Sequence, residues 1–236
     1  MIMNLDFSYK SYEKLLRELI ANDYMSFLIG ENGEAVKKLY LRHDVDTDYL
    51  GVIPLAEIEN SLGLASTWYF LPDCPVYNMC SKNLIDIIEK ICFLGHQVGL
   101  HVDASQFKDF KQMTEAIEKQ FTFFSSFLPI SKTFSFHKPA PWLLNNVCIP
   151  TWINAYQKEY YSEVMYVSDS NRREFWKEDR LYTAIDENKS LTLLTHPLWW
   201  KEESMNQESI ESYVVNKIGS LESQNYLAQT CKIYGR

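Results

Sequence analysis

KKLYLRHDVD, residues 37–46, runs an apolar strand straight into a cation, an imidazole and two carboxylates. Gathering that many strongly hydrated groups at one strand end costs free energy that folding alone does not return. The stretch therefore marks a site, and its period-2 pattern sets the class of fold to look for. Further strands are expected near 65–71, 97–102, 132–137, 163–167 and 190–195, with the first near 37–43. Between them lie segments of helical periodicity, near 11–24, 52–62, 81–95, 108–127 and 207–222. In SKNLIDIIEKICFLG, residues 81–95, the side chains of Leu84, Ile87, Ile88 and Ile91 make the apolar stripe, Ser81 caps the start and Gly95 the end. Alternating strand and helix predict an α/β fold with a mainly parallel sheet, open or closed into a barrel, whose active site forms where strands end and loops begin.

The chain has 236 residues and is 46% hydrophobic, enough for one large domain over residues 1–236. A net charge of −8 without any basic block argues against nucleic acid or an anionic membrane surface as partner and favours a neutral or weakly charged small-molecule substrate. The first residues lack a basic region followed by an apolar run, and no stretch of about 18 apolar residues occurs later. A cytoplasmic protein with no transmembrane segment is the expectation. Five cysteines, Cys74, Cys80, Cys92, Cys148 and Cys231, form no CxxC pair and read as reduced thiols. No linker, repeat or low-complexity tract divides the chain, and the irregular, aromatic-rich stretch 141–162 is expected to be a loop excursion over the site.

Of five histidines, His43, His101, His137 and His196 fall at the carboxyl ends of expected strands. One such residue would be unremarkable, but four point to shared chemistry. His96 begins its strand roughly 16 Å from His101 and is expected to be structural. Period-2 alternation puts His101 and Asp103 on one face. Asp44 and Asp46 are likewise two apart, so one is free to bind a metal and the other to act on water. Imidazole with carboxylate is a usual ligand set for a borderline divalent ion such as zinc.

These residues resemble the polysaccharide deacetylase superfamily of the carbohydrate esterase family 4 type, with motifs in the family's order across about residues 38–200. LRHDVD is similar to the first motif, which carries a general base and a metal-binding Asp; the resemblance nominates Asp44 as base and Asp46 as ligand, with Val45 between two residues that the family keeps adjacent. STWYFLP, residues 66–72, resembles the second strand, and GHQVGLH, residues 95–101, the segment whose final His, here His101, is a ligand. Four positions later the family has a second ligand His where this chain has Ser105, leaving His137 or Asp103 to complete the set. SFHKPAPW resembles the third motif, with His137 and Lys138 in the neighbourhood of the family's Arg. YVSDSNRR nominates Asp169 as the residue that adjusts the acid, and LLTHP nominates His196 as the general acid.

The resemblance implies a distorted (β/α) barrel of about seven mainly parallel strands and metal-dependent removal of acetyl groups from N-acetylated sugars, zinc being the expected ion. Trp142, Trp199 and Trp200 are candidates to stack on a sugar ring, and Tyr77 and Asn78 in the PVYN loop to bind its hydroxyls. The expected substrate is a small sugar, such as a sugar nucleotide, or a lipid-linked glycan intermediate. Two other readings compete. DVDTD fits the DxDxT opening of haloacid-dehalogenase-like phosphatases, which have no use for four strand-end histidines. A non-catalytic sugar-binding or regulatory descendant of the same fold would account for Val45, Ser105 and the His-Lys pair.

Overall fold

A computed structural model of the chain describes residues 6–139, 143–144, 148–170 and 179–219. Among the described residues there are eight strands: β1 (Tyr24–Ser26), β2 (Lys37–Val45), β3 (Ser66–Phe70), β4 (Gln97–Asp103), β5 (Thr133–His137), β6 (Ile153–Asn154), β7 (Met165–Ser168) and β8 (Leu191–Thr195). Seven of them form one curled sheet in the order β6-β5-β4-β3-β2-β8-β7, with β1 beside the start of β2, and every pairing is parallel. This curled half-barrel matches the distorted (β/α) barrel of about seven mainly parallel strands expected from the sequence. The helices that connect and cover it are α1 (Tyr9–Ala21), α2 (Val52–Ser61), α3 (Lys82–Phe93), α4 (Phe110–Phe124), α5 (Lys158–Tyr161), α6 (Asp179–Asp186) and α7 (Gln207–Tyr213), the last continued by a π-helical turn, Val214–Ile218.

The sequence pattern misses β1, β6, α5 and the two-turn helix α6. β1, β6 and α5 are two to four residues long, too few to show a period. The stretch 141–162 contains β6 and α5 among its described residues, rather than only a loop. The expected helix near 11–24 ends at Ala21, and Tyr24 opens β1; of the expected helix near 207–222, the residues beyond 219 lie outside those described.

Alternation along each strand separates two environments. Leu39, Leu41, Val45, Trp68, Phe70, Val98, Leu100, Val102, Phe134 and Phe136 are buried and belong to the main core, which also takes Tyr12, Leu15, Leu16 and Leu19 of α1 and Leu84, Ile88 and Ile91 of α3. The intervening residues, Tyr40, Arg42, Asp44, Tyr69, Gly99, His101, Ser135 and His137, face the concave side. A second cluster of Phe27, Ile29, Tyr40, Tyr69, Ala155 and Tyr160 fills that concavity below the charged residues. Gly99 is needed there, because a Cβ would stand 2.4 Å from the Thr133 carbonyl oxygen and 2.8 Å from the Tyr69 ring. At the ends of the sheet path rings bridge β6 to β7: Tyr156 lies 5.2 Å from Tyr161, and Tyr161 lies 4.8 Å from Tyr166.

His43 faces the opposite side from Asp44, into the main core. It stacks on Trp68 at 3.7 Å, its Nε2 lies 2.6 Å from Glu59 Oε1, and its Nδ1 lies 2.7 Å from Thr195 Oγ1. Glu59, on α2 and wholly buried, also accepts from the Ser66 hydroxyl at 2.6 Å and from Tyr12. Ser66 in turn accepts from the Trp68 indole and meets His96, whose Nε2 reaches the Ala56 carbonyl. His96 is thus structural, as expected. His43 is structural too, which corrects its inclusion among the residues of the site: strand periodicity turns it away from the two aspartates that flank it.

A buried carboxylate is tolerated only while its partners remain. Burial alone would raise the Glu59 carboxyl, but the charge and hydrogen bond of His43 and the hydrogen bond of Ser66 hold it below its ordinary value. A depressed carboxyl contributes stability that is present above its unfolded value of 4.5 and is lost as pH falls through the folded one. Glu59→Ala should therefore cost at least about 3 kcal/mol in urea unfolding at neutral pH, from three unsatisfied donors, and Glu59→Gln should make stability fall less steeply below pH 4.5. A loss under about 1 kcal/mol would mean that the hub bears no weight.

Candidate active site

Because every strand pair is parallel, all carboxyl ends lie on one rim. The functional side chains of β2, β4, β5, β7 and β8 meet there around a cleft of about 230 Å³ lined by Asp44, Asp46, His101, His137, His196 and Trp199, with Phe136, Lys138, Pro139, Tyr156, Ser170 and Leu194 completing its wall.

Three ligand-type side chains converge in it. Asp46, just past the end of β2, presents Oδ1 at 3.1 Å from His101 Nε2 and 3.0 Å from His137 Nδ1. The donor atoms of Asp46, His101 and His137 all lie within 4.8 Å of one another. The cross-strand register explains this: His101 pairs with Ser135 and Asp103 with His137, so His137 stands one diagonal step from His101 on the same side of the sheet. Asp103 does not join them. Its Oδ1 accepts from the Ser105 backbone at 2.9 Å and hydroxyl at 2.6 Å, capping a short 3-10 turn at the rim. Ser105, where the resemblance would put a ligand, is thus tied to Asp103.

Asp44 is deeper and differently held. Arg42 donates to it in bidentate fashion, Nε to Oδ1 at 3.0 Å and Nη2 to Oδ2 at 2.8 Å, and both side chains are buried. The guanidinium lies 4.4 Å from the Tyr156 ring centroid, a cation–π contact on its flank. Burial would raise the Asp44 carboxyl; Arg42 above all, then His101 and His196, bring it below the ordinary carboxylate range. Asp44 is therefore ionised at neutral pH.

Ser135 connects the two groups. Its hydroxyl accepts from Arg42 Nη2 at 2.6 Å, lies 3.3 Å from each Asp44 oxygen and 2.9 Å from His101 Nδ1. Since Arg42 only donates and Asp44 only accepts, the consistent arrangement has Ser135 donating to Asp44 and accepting from His101 Nδ1–H. With Nδ1–H engaged by Ser135, Nε2 is the His101 nitrogen on the side of Asp46, and it would coordinate an ion only once unprotonated. Sequence reading missed Ser135, although TFSFH shows it: Thr133, Ser135 and His137 alternate with two phenylalanines and so share the face of the site.

On the other flank His196 follows β8. Its Nδ1 lies 2.5 Å from Asp169 Oδ1, and Asp169 also accepts from the His196 backbone N–H and from the Trp200 indole at 2.9 Å. Burial pulls the imidazolium down, but the charge and hydrogen bond of Asp169 outweigh it and push His196 up to about 9. Its Nε2 is left facing the cleft, 3.8 Å from Asp46 Oδ2.

The substrate candidates divide. Trp199 is half-buried and lines the cleft. Trp200 is wholly buried, packed on Tyr12 and Phe7 and bonded to Asp169, so it braces that carboxylate and cannot stack on a ligand. Tyr77 is buried with its hydroxyl committed, donating to the Val45 carbonyl at 2.6 Å and accepting from the Leu71 N–H at 2.7 Å. Asn78 is exposed and caps Cys80, away from the cleft. Tyr77, Asn78 and Trp200 are therefore not brought to the site, and Trp142 lies outside the described residues.

No family model and no curated protein matches the chain. Among solved structures, a peptidoglycan N-acetylglucosamine deacetylase is similar at 13% identity and a TM-score of 0.45, over 88% of this chain and 91% of that one. A CE4 esterase from Streptococcus mutans is similar at 10% identity and a TM-score of 0.44, over 90% and 87%. A family 4 carbohydrate esterase from Streptomyces lividans is similar at 13% identity and 0.40, over 79% and 88%. These belong to the family whose motifs the sequence resembles. At such identities the chemistry must be argued from the residues of the cleft.

Zinc titration by calorimetry should give one site per chain. Asp46→Asn, His101→Gln and His137→Gln should each weaken it severely, and Asp103→Asn should leave it unchanged. Ser135→Ala should lower the affinity about 10- to 100-fold, as loss of a ligand's outer partner does. Full affinity in His137→Gln together with a loss in Asp103→Asn would exchange their roles.

Proposed function

We propose that the chain is a metal-dependent amide hydrolase that removes an N-acetyl or similar small acyl group from a sugar or glycan precursor. The observation that carries this reading is the meeting, in one cleft, of the donor trio Asp46, His101 and His137 with an Arg42-clamped carboxylate on one side and an Asp169-bound imidazole on the other. The trio fits a divalent ion: two imidazoles and a carboxylate with mutually close donor atoms are a donor set suited to zinc. When bound, such an ion supplies Lewis acidity toward the acyl oxygen.

The chain's own residues then divide the proton work. Asp44, ionised and held by Arg42 and Ser135, accepts a proton from the attacking water as its oxygen bonds to the acyl carbon. His196, protonated and oriented by Asp169, gives its Nε2 proton to the amide nitrogen as the C–N bond breaks, so that an amine rather than an amide anion departs. One water is consumed, and a carboxylate and an amine result. The two groups perform opposite tasks because their surroundings differ: a cation beside Asp44 favours the bare carboxylate, and an anion beside His196 favours the imidazolium. Arg42 takes the orienting place that the resemblance assigns to an Arg of the third motif. Trp199 offers the one described tryptophan face in the cleft for a sugar ring. The phosphatase reading is disfavoured by the same geometry, since the would-be nucleophile Asp44 is clamped by Arg42 and lies beside histidines. The substrate expected is carbohydrate in character, free or carried on a larger molecule, and the expected location remains the cytoplasm.

Zinc-supplemented protein incubated with a panel of N-acetylated sugars and nucleotide sugars should release acetate. Asp44→Asn should keep zinc while turnover falls about 10²- to 10⁴-fold, the usual contribution of a positioned base. Zinc loss in Asp44→Asn as severe as in Asp46→Asn would put both in the ligand set and remove the base from the mechanism.

A further inference from the structure

The reacting cleft, at about 230 Å³, falls below the range of about 300–1,000 Å³ that encloses a drug-sized ligand. It has room for the reacting amide and little beyond a single sugar. Beside it lies a cavity of about 1,020 Å³. Trp199 is a wall of both. Thr47, next after the ligand Asp46, and Leu198, two after His196, also line the larger one, so it opens within a residue or two of the groups that hold and protonate the substrate. Its far wall is apolar: Phe7, Ile210, Val214 and Val215 from the start of the chain, α7 and the π-helical turn. Val215 keeps 70% of its surface exposed and Ile210 only 4%, which describes a chamber floored by core and open at its rim.

The charges say what does not belong there. The described lining holds two carboxylates, Asp6 and Glu211, and no Lys or Arg. A nucleotide or diphosphate group seated in it would face those two carboxylates, with no Lys or Arg among the described lining residues. An uncharged alkyl or acyl chain meets no such penalty and gains from burial in proportion to its area.

We propose that this cavity receives an uncharged apolar chain of the substrate, so that the deacylase acts on an amphiphilic sugar. The inference deepens, and rests on, the amide hydrolase reading of the adjoining cleft. The chain has two possible places of attachment with the same chemistry: the acyl group of the reacting amide, or an aglycone on the sugar.

Two substrate series separate these sources. In one, glucosamine carries N-acyl groups from acetyl to octanoyl; in the other, N-acetylglucosamine carries alkyl aglycones from methyl to octyl, all below their micellar concentrations. With zinc-loaded full-length protein, kcat/KM should rise with chain length in one series by up to about fourfold per methylene, the ratio that burial of a CH₂ allows. The other series should stay flat. Val214→Asp and Val215→Asp should flatten the rising series, the slope being measured for each variant relative to its own shortest substrate, so that a change in folding or overall rate cancels. A parallel titration of octyl and methyl glucosides, followed by tryptophan fluorescence, reads the cavity without any turnover. Flat kinetics in both series with active enzyme overturn the proposal and leave the hydrolase reading intact. If nothing is hydrolysed but octyl glucoside binds tenfold or more tightly than methyl glucoside, and Val214→Asp abolishes the difference, the cavity assignment holds and the hydrolase reading falls. If nothing is hydrolysed and the two glucosides bind alike, both fall.

Discussion

The pairing of Arg42 with Asp44 is the interaction on which the site depends. Two charges within one side of a single strand, both withdrawn from water, would each be prohibitively costly alone. Two parallel hydrogen bonds and the Tyr156 ring make them tolerable together. Once the carboxylate is fixed, Ser135 has one arrangement that satisfies Arg42, Asp44 and His101, and His101 is left with Nε2 on the side of Asp46. The placement of the Asp44 carboxylate and of the His101 ring thus follows from one buried ion pair. His196 stands outside that chain and is set by its own anion, Asp169.

The sheet makes this arrangement possible. Parallel pairing brings five strand ends to one rim, and strand alternation sorts polar side chains to the concave side and apolar ones to the helices. The concave side below the site is filled by Tyr40, Tyr69 and Tyr160, which exclude water from beneath Arg42. On the convex side, Glu59 ties β2, through His43, to β3, through Ser66, and reaches β8 through the contact of His43 with Thr195. The strands that carry Asp44, Asp46 and His196 are therefore held from behind by side chains that never meet the cleft. Trp200 does the same for Asp169, linking it to Tyr12 and so to α1.

Departures from the resembled pattern find local compensation. Ser105 stands where the resembled pattern has a His, and His137 of the next strand brings its donor atom to the same Asp46 oxygen as His101. The cation beside Asp44 comes from β2 itself rather than from the third motif. Val45 between the aspartates lets both turn to the concave side, Asp44 within β2 and Asp46 one residue past its end, so the spacing that departs from the family is one that β geometry accommodates.

Much of this was legible in the chain alone. Periodicity located the long strands and helices, and parity along KKLYLRHDVD put Asp44 and Asp46 together, because alternation is a local property of extended backbone. Parallel topology then follows from strand–helix order, and with it the convergence of strand ends. What periodicity cannot supply is register and distance between strands. Whether His137 or Asp103 meets His101 turned on a diagonal step across β4 and β5 and on a competing bond from Asp103 to Ser105. Reading His43 as one of four strand-end histidines of a site ignored the parity that had been applied to its neighbours. Trp200, Tyr77 and Glu59 look like surface or binding residues by type, yet their polar atoms are consumed inside the fold. Sequence determines which groups are present and on which side of a strand each one lies, since both are set within a few residues. Only the tertiary structure decides which of them touch, because that depends on packing between elements far apart in the chain.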